Sequence, residues 1–156
     1  MRLLRPLVVA AALLATATAY AAPARVSGAG FYRDGTGRHA TKTMLTIQGA
    51  PASNSGTADY TVTKPGASRS SVHITFSCVV VNGSTAYASG KDGSGGDWFV
   101  KVADNGEPGR NDQWGVSRTG ETIAGIPVPP QLSSMCRASN VTTRAIDGGN
   151  FQVVAS

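Results

Sequence analysis

One short segment of the chain combines residues that could perform chemistry. This acidic loop, residues 104–112, has the sequence Asp-Asn-Gly-Glu-Pro-Gly-Arg-Asn-Asp. Asp104, Asn105, Glu107 and Asp112 offer hard oxygen atoms within one turn, and Ca²⁺ takes about 6 to 8 such ligands. The spacing differs from the EF-hand pattern D-x-[DN]-x-[DN]-G-x₅-E. Calcium binding is therefore one interpretation of the acidic loop, and calcium is the only cofactor that the sequence suggests.

A structural turn is the other interpretation of the acidic loop, and the one we favour. Asp104 and Asn105 are residues that hydrogen-bond the local backbone in Asx turns. Gly106 and Gly109 can adopt positive φ, and Pro108 stiffens the bend. In this interpretation the carboxylates hold the chain together and bind no ion.

The sequence contains no recognisable catalytic motif. His39 and His73 are far apart, and neither accompanies a nucleophile. The serine hydrolase motif G-x-S-x-G, the zinc protease motif H-E-x-x-H and a C-x-x-C metal pair do not occur. We predict no catalytic residues and a non-enzymatic protein. The alternative is a small secreted hydrolase or isomerase in which two carboxylates of the acidic loop act as acid and base.

Two tryptophans, Trp98 and Trp114, flank the acidic loop on two strand-like runs. If both rings are exposed, they form a ligand-binding platform for sugars or for an apolar patch of a partner. If they are buried, they belong to the core. Aromatic residues make up only 6% of the chain, so a core would need both rings, and burial is the favoured interpretation.

The amino terminus has the pattern of a secretory signal peptide. Two arginines precede the apolar run 7–14, and small residues lead to Ala-Tyr-Ala at 19–21. The run is shorter than the roughly 20 residues that span a bilayer. We predict cleavage after residue 21, with Ala24 as the alternative site. Residues 22–156 should then be secreted, either extracellular or associated with the cell envelope, with no membrane span.

The charge of this mature part is modest. Two of the 14 Lys and Arg residues lie in the predicted signal peptide and all 9 acidic residues lie outside it, so the net charge is 12 − 9 = +3. The basic residues are dispersed along the sequence without a run, which argues against a nucleic-acid partner. The predicted partners are a polymer of the cell envelope or another surface protein.

The composition favours an all-β fold. The chain has 19 glycines and 15% charged residues, and short β-like segments recur between glycine or asparagine turns without helical periodicity. We predict a single domain, 22–156, with an antiparallel β-sandwich or barrel of about eight to nine strands. The predicted strands are 25–32, 42–47, 58–63, 71–81, 84–89, 98–102, 113–117 and 151–154.

The longest predicted strand, 71–81, contains one of the two cysteines. Alternation places Cys78 on the same face as Phe76, and the following valines should be buried on both faces. Asn82-Gly83 should form a two-residue hairpin turn.

The two cysteines of an exported protein are expected to form a disulfide, here Cys78 with Cys136. The bond would close a loop with 57 intervening residues and pin the proline-rich stretch 127–130 against the body.

Two segments at the carboxy-terminal end resemble a known signature. The segment 101–109 with Asp112, Trp114 and Val116 is similar to V-x-D-N-G-E-P-G-x-x-D-x-[FW]-x-[IV], and 148–153 is similar to G-G-N-[IF]-Q-[VL]. Both signature patterns are those of the post-COAP domain, which this chain resembles; it is a module of secreted bacterial proteins that often follows a choice-of-anchor surface domain. The resemblance implies that the first segment links adjacent strands and the second forms the last strand.

The start of the mature chain, 25–30, also resembles the beginning of that family. The chain departs from the family in 38–70, where the likeness is loose, and in an insertion at 121–144. The family has no assigned activity, so the resemblance implies a fold and a location and supplies no catalytic residues.

Overall fold

The computed structural model describes residues 22–118, 136, 138 and 140–156, together with the backbone of 122–123 and 126–127. The predicted signal peptide and about half of the predicted insertion, including 128–130 of its proline-rich stretch, lie outside the described residues.

The described chain is all-β, as predicted, and 3₁₀ turns at Gly37–His39 and Pro51–Ser53 are its helical elements. All eight predicted strands are present, and most extend beyond their predicted ends. Three two-residue strands, β8 to β10, were not predicted. The strands are β1 (Arg25–Asp34), β2 (Thr41–Ala50), β3 (Ser55–Thr63), β4 (Ser70–Asn82), β5 (Thr85–Asp92), β6 (Asp97–Ala103), β7 (Gln113–Arg118), β8 (Thr122–Ile123), β9 (Ile126–Pro127), β10 (Arg144–Ala145) and β11 (Gly148–Val154).

Nine of the strands form one antiparallel sheet in the order β10-β7-β6-β5-β4-β3-β2-β1-β11, while β8 and β9 pair with each other. The prediction left a sandwich and a barrel open. The structure has a single curled sheet, rolled as in part of a barrel. The two edge strands, β10 and β11, are consecutive in the chain and separated only by Ile146 and Asp147. The opposite edges of the sheet therefore approach each other.

The chain from Arg144 to Val154 joins the two edges, and we call it the closing strand. Its first part pairs antiparallel with β7 and its second part pairs antiparallel with β1. At the transfer, the Ile146 N–H donates to the Asp112 carbonyl at 3.0 Å, and the Asp147 N–H donates to the Phe31 carbonyl at 2.8 Å.

The core fills the concave face of the curled sheet, where alternate residues of each strand point inward. Leu45, Ile74, Val100 and Phe151 are fully buried there. A Cβ atom at Gly30 would lie 2.5 Å from the Phe151 ring, so glycine makes room for this ring beside β1.

A bulge in β4 changes the predicted pattern of this strand. The register against β5 shifts by one residue between Phe76 and Cys78, so Val79, 1% exposed, takes the next inward position. The prediction that Cys78 shares the face of Phe76 was therefore wrong. Val80 and Val81 are only partly buried, so burial on both faces was also wrong.

The hairpin from β4 to β5 forms as predicted, but its turn is shifted by one residue. Asn82 pairs with Thr85, which leaves Gly83 and Ser84 as the two turn residues. Gly83 has φ +58°, which glycine adopts without steric cost.

The predicted disulfide between Cys78 and Cys136 is present, with the two Cα atoms 5.6 Å apart. Cys136 is buried, and so is Val141. A Cβ at Gly115 of β7 would lie 2.0 Å from the Thr142 carbonyl oxygen, so the chain after the disulfide lies directly against β7. In the described part of the chain, we find no helix with the length and apolar character needed to cross a membrane.

Candidate functional site

The acidic loop connects β6 to β7 beside the closing strand. Its backbone folds into two consecutive turns, in which the Gly109 N–H donates to the Gly106 carbonyl at 2.9 Å and the Asp112 N–H donates to the Gly109 carbonyl at 3.1 Å. Gly106 has φ +97° and Gly109 has φ +77°, so the positive φ values predicted for both glycines are present.

Asp112 ties the acidic loop to the closing strand. Its side chain is fully buried. Oδ1 accepts the Asn105 N–H at 2.9 Å, and Oδ2 accepts the Phe151 N–H at 2.8 Å. Since the Asp112 carbonyl also accepts the Ile146 N–H, this residue holds the closing strand at two points.

Asp104 makes a second link of the same kind. Oδ1 accepts the Gly106 N–H at 2.9 Å, which is the predicted Asx geometry, and Oδ2 accepts the Val153 N–H at 3.0 Å. Alternate amides of a strand point to the same side, so Phe151 and Val153 present their N–H groups away from β1. The carboxylates of Asp104 and Asp112, which we call the carboxylate latch, therefore take the place of a neighbouring strand.

Glu107 and Asn105 complete the loop with weaker contacts. The side-chain amide of Asn105 donates to the Asn111 carbonyl at 2.6 Å. The side-chain amide of Asn150 donates to both Glu107 carboxylate oxygens, at 3.0 and 3.2 Å. A Cβ at Gly109 would lie 2.4 Å from Asn150 Oδ1, so only glycine fits where the loop crosses the closing strand.

The four predicted calcium ligands lie in one loop, but their oxygen atoms are directed at different partners. Asp104 and Asp112 accept backbone amides, while Glu107 accepts an amide from Asn150. Among the described residues, no group of three or more His, Cys, Asp or Glu side chains is placed to hold a metal ion. This arrangement fits the turn interpretation.

We predict that the melting temperature of the mature protein is the same in excess EDTA and in millimolar Ca²⁺, because the latch oxygens already accept amides. Differential scanning fluorimetry measures both conditions, with Mg²⁺ as a control for ionic strength. A rise in melting temperature that is specific to Ca²⁺ would support the calcium interpretation.

The two tryptophans lie inside the curled sheet. Trp98 is 7% exposed and Trp114 is 1% exposed. The Tyr60 ring contacts both, at centroid distances of 5.7 and 6.2 Å, and the Tyr32 ring lies 4.9 Å from Trp114. The rings thus belong to the core and do not form an exposed platform. Trp114 Nε1 has no hydrogen-bond partner among the described residues.

Asp92 is a polar anchor that the sequence analysis missed. Its carboxylate accepts the Ser94 hydroxyl at 2.6 Å, the Trp98 indole N–H at 2.9 Å and the Gly96 N–H at 2.9 Å. The Ser94 hydroxyl, followed by the Trp98 indole, holds the pKa of Asp92 well below its usual range. The signal was available, because Asp-Gly-Ser-Gly-Gly at 92–96 is a typical Asx-turn sequence.

This lowered pKa predicts the pH dependence of an Asp92→Asn variant. A depressed folded-state pKa adds stability above the unfolded pKa of about 3.9, and that stability is lost as the pH falls through the folded value. The variant should therefore melt below the wild type at neutral pH, and the gap should shrink below about pH 4. Melting curves across this range test the prediction, with Asp97→Asn as the control, because the Asp97 side chain is about half exposed and contacts Lys91. A gap that stays constant on acidification would contradict it.

The histidines do not accompany the acidic loop. His73 Nδ1 lies 2.9 Å from Asp59 Oδ1, with both side chains more than half exposed on the outer face. His39 is exposed in the 3₁₀ turn after β1. Neither histidine contacts the acidic loop in the described structure, and the described contacts of that loop are those of a structural element.

Comparison of the chain with family models, with curated proteins and with solved structures finds no match.

Proposed function

We propose that this chain is an exported, non-enzymatic β module of the post-COAP type, which works as a binding or structural unit outside the cell or at its envelope. One observation carries the proposal: both carboxylate oxygens of the fully buried Asp112 accept hydrogen bonds from backbone amides. The segment that offered the strongest case for chemistry thus has a structural task.

The contacts of the two signature-like segments support the post-COAP assignment. Asp104 accepts an amide of Val153, Asp112 accepts an amide of Phe151, and Glu107 accepts the side chain of Asn150. These residues lie 39 to 49 positions apart in the chain. The post-COAP signature contains both segments. Because the two segments contact each other directly in the fold, their occurrence together in one signature has a physical explanation.

The disulfide supports export. A Cys78–Cys136 bond persists in oxidising compartments such as the extracellular space or the periplasm, and cytosolic reductants disfavour it. The signal-like sequence at residues 1–21 points the same way. The partners that fit this location are a cell-envelope polymer or another surface protein.

A pull-down tests the proposed function. Purified, oxidised residues 22–156 are mixed with envelope isolated from the producing cell and washed at low salt. We expect retention that saturates and is competed by unlabelled protein, whereas heat-unfolded protein should not compete. Absence of saturable retention at any salt concentration would contradict a binding role and leave a freely secreted factor, for which an activity screen is the next step.

A further inference from the structure

The fold gathers basic side chains at one end of the curled sheet. We call this end, where β1, β3, β5 and β7 finish and β2, β4 and β6 begin, the basic rim. It holds eight arginines and lysines against four aspartates, and Arg144 of β10 reaches this end through its contact with Asp34 at the end of β1. The basic residues are Arg33, Arg38, Lys42, Lys64, Arg69, Lys91, Arg118 and Arg144, and the acidic residues are Asp34, Asp92, Asp97 and Asp147.

The opposite end of the sheet is balanced in charge. Three basic and three acidic side chains lie there, namely Arg25, Lys101, Arg110, Asp104, Glu107 and Asp112. The positive charge of the mature chain therefore comes from the basic rim. These basic residues are dispersed in the sequence, but they lie at one end of the sheet because every second turn between antiparallel strands falls at that end.

Aromatic rings hold several of these cations in place. Lys42 Nζ and the Arg33 guanidinium lie 4.2 and 4.8 Å from the centroid of the Phe31 ring. The Arg144 guanidinium lies 4.5 Å from the Tyr32 ring. Such contacts fix the position of a charged group and reduce the conformational entropy that it loses on binding.

Most of the rim cations remain available for a ligand. Lys91, Arg118 and Arg144 each contact an aspartate, and their side chains are 63, 44 and 48% exposed. The pairs Lys91–Asp97 and Arg144–Asp34 are exposed on both sides, and exposed ion pairs exchange readily with other anions, whereas the Asp92 partner of Arg118 is only 9% exposed. The other five have no ion-pair partner among the described residues, and they are Arg33, Arg38, Lys42, Lys64 and Arg69.

We propose that the basic rim binds an acidic polysaccharide. Carboxylate or other anionic groups of the polymer pair with the rim cations, and the apolar faces of its sugar rings pack on Phe31, which is partly exposed beside Arg33 and Lys42. A mature charge of only +3 is low for a nucleic-acid-binding domain. The inference rests on the proposed envelope-binding function and names its ligand class.

Two charge-matched double variants test the proposal. Arg33→Gln with Lys42→Gln removes two positive charges from the rim, and Arg25→Gln with Arg110→Gln removes two from the opposite end. Isothermal titration with polygalacturonate, and with neutral dextran as the uncharged control, measures binding at low salt. We expect the rim variant to bind about tenfold more weakly than wild type and the control variant to change by less than about twofold. Dextran should not bind.

Equal losses in the two variants would overturn the proposal, because binding would then follow net charge alone. Tighter binding of duplex DNA than of polygalacturonate would also overturn it and indicate a nucleic-acid surface. All four side chains are at least partly exposed, so melting temperatures within a few degrees of wild type should confirm folding. If the envelope pull-down retains wild type and both variants equally, the proposed function stands and the rim inference fails.

Discussion

Asp112→Ala is expected to lower the free energy of unfolding by about 3 to 5 kcal/mol, the scale seen when one partner of a buried charged contact is removed. The carboxylate is fully buried and accepts the amides of Asn105 and Phe151. Alanine leaves both donors without a partner in a site that water does not reach, and each such donor costs about 1 to 3 kcal/mol. Urea denaturation followed by fluorescence measures the change.

Two further variants make this test specific to the latch. Glu107→Ala removes a carboxylate from the same loop, but its contact with Asn150 is exposed, so we expect a loss below about 1 kcal/mol. Asp112→Asn keeps one acceptor oxygen and should fall between the two. If Asp112→Ala lowers the free energy of unfolding no more than Glu107→Ala does, the carboxylate latch is not needed for the stability of the fold.

Replacing both cysteines, Cys78→Ser with Cys136→Ser, is expected to lower the free energy of unfolding by up to about 4 kcal/mol. The bond closes a long loop, because the two cysteines lie 58 positions apart in the chain, so its loss increases the conformational entropy of the unfolded chain. Guanidinium denaturation of the oxidised wild type and of the variant measures the difference.

The reductant supplies the control for this prediction. Reduced wild type should approach the stability of the double variant, whereas the double variant should not respond to reductant. An oxidised wild type that is no more stable than the reduced protein would contradict the prediction.

Local pattern was enough to find the strands, because alternation and glycine turns are encoded over a few residues. The pattern failed in β4, where a bulge after Phe76 moves Cys78 off the inner face and Val79 onto it. A bulge adds one residue without changing composition, so alternation read from the sequence continues in the wrong phase.

The carboxylate latch could be predicted only in part. The contact from Asp104 to Gly106 spans two residues and follows from the Asx-turn sequence. The contacts to Phe151 and Val153 span 39 and 49 residues and depend on how the sheet closes, which no local pattern specifies. The basic rim escaped notice for the same reason, because its residues become neighbours only through the strand order.

Hydrogen exchange of individual backbone amides, measured by NMR, tests the central claim that the two aspartates replace a strand along β11. The amides of Phe151 and Val153 should be strongly protected in the wild type. Asp112→Ala, which removes both acceptor oxygens, should speed exchange chiefly at Phe151 and Asn105, and Asp104→Ala chiefly at Val153 and Gly106. Rapid exchange of both amides in the wild-type protein, or protection that neither variant changes, would contradict the account.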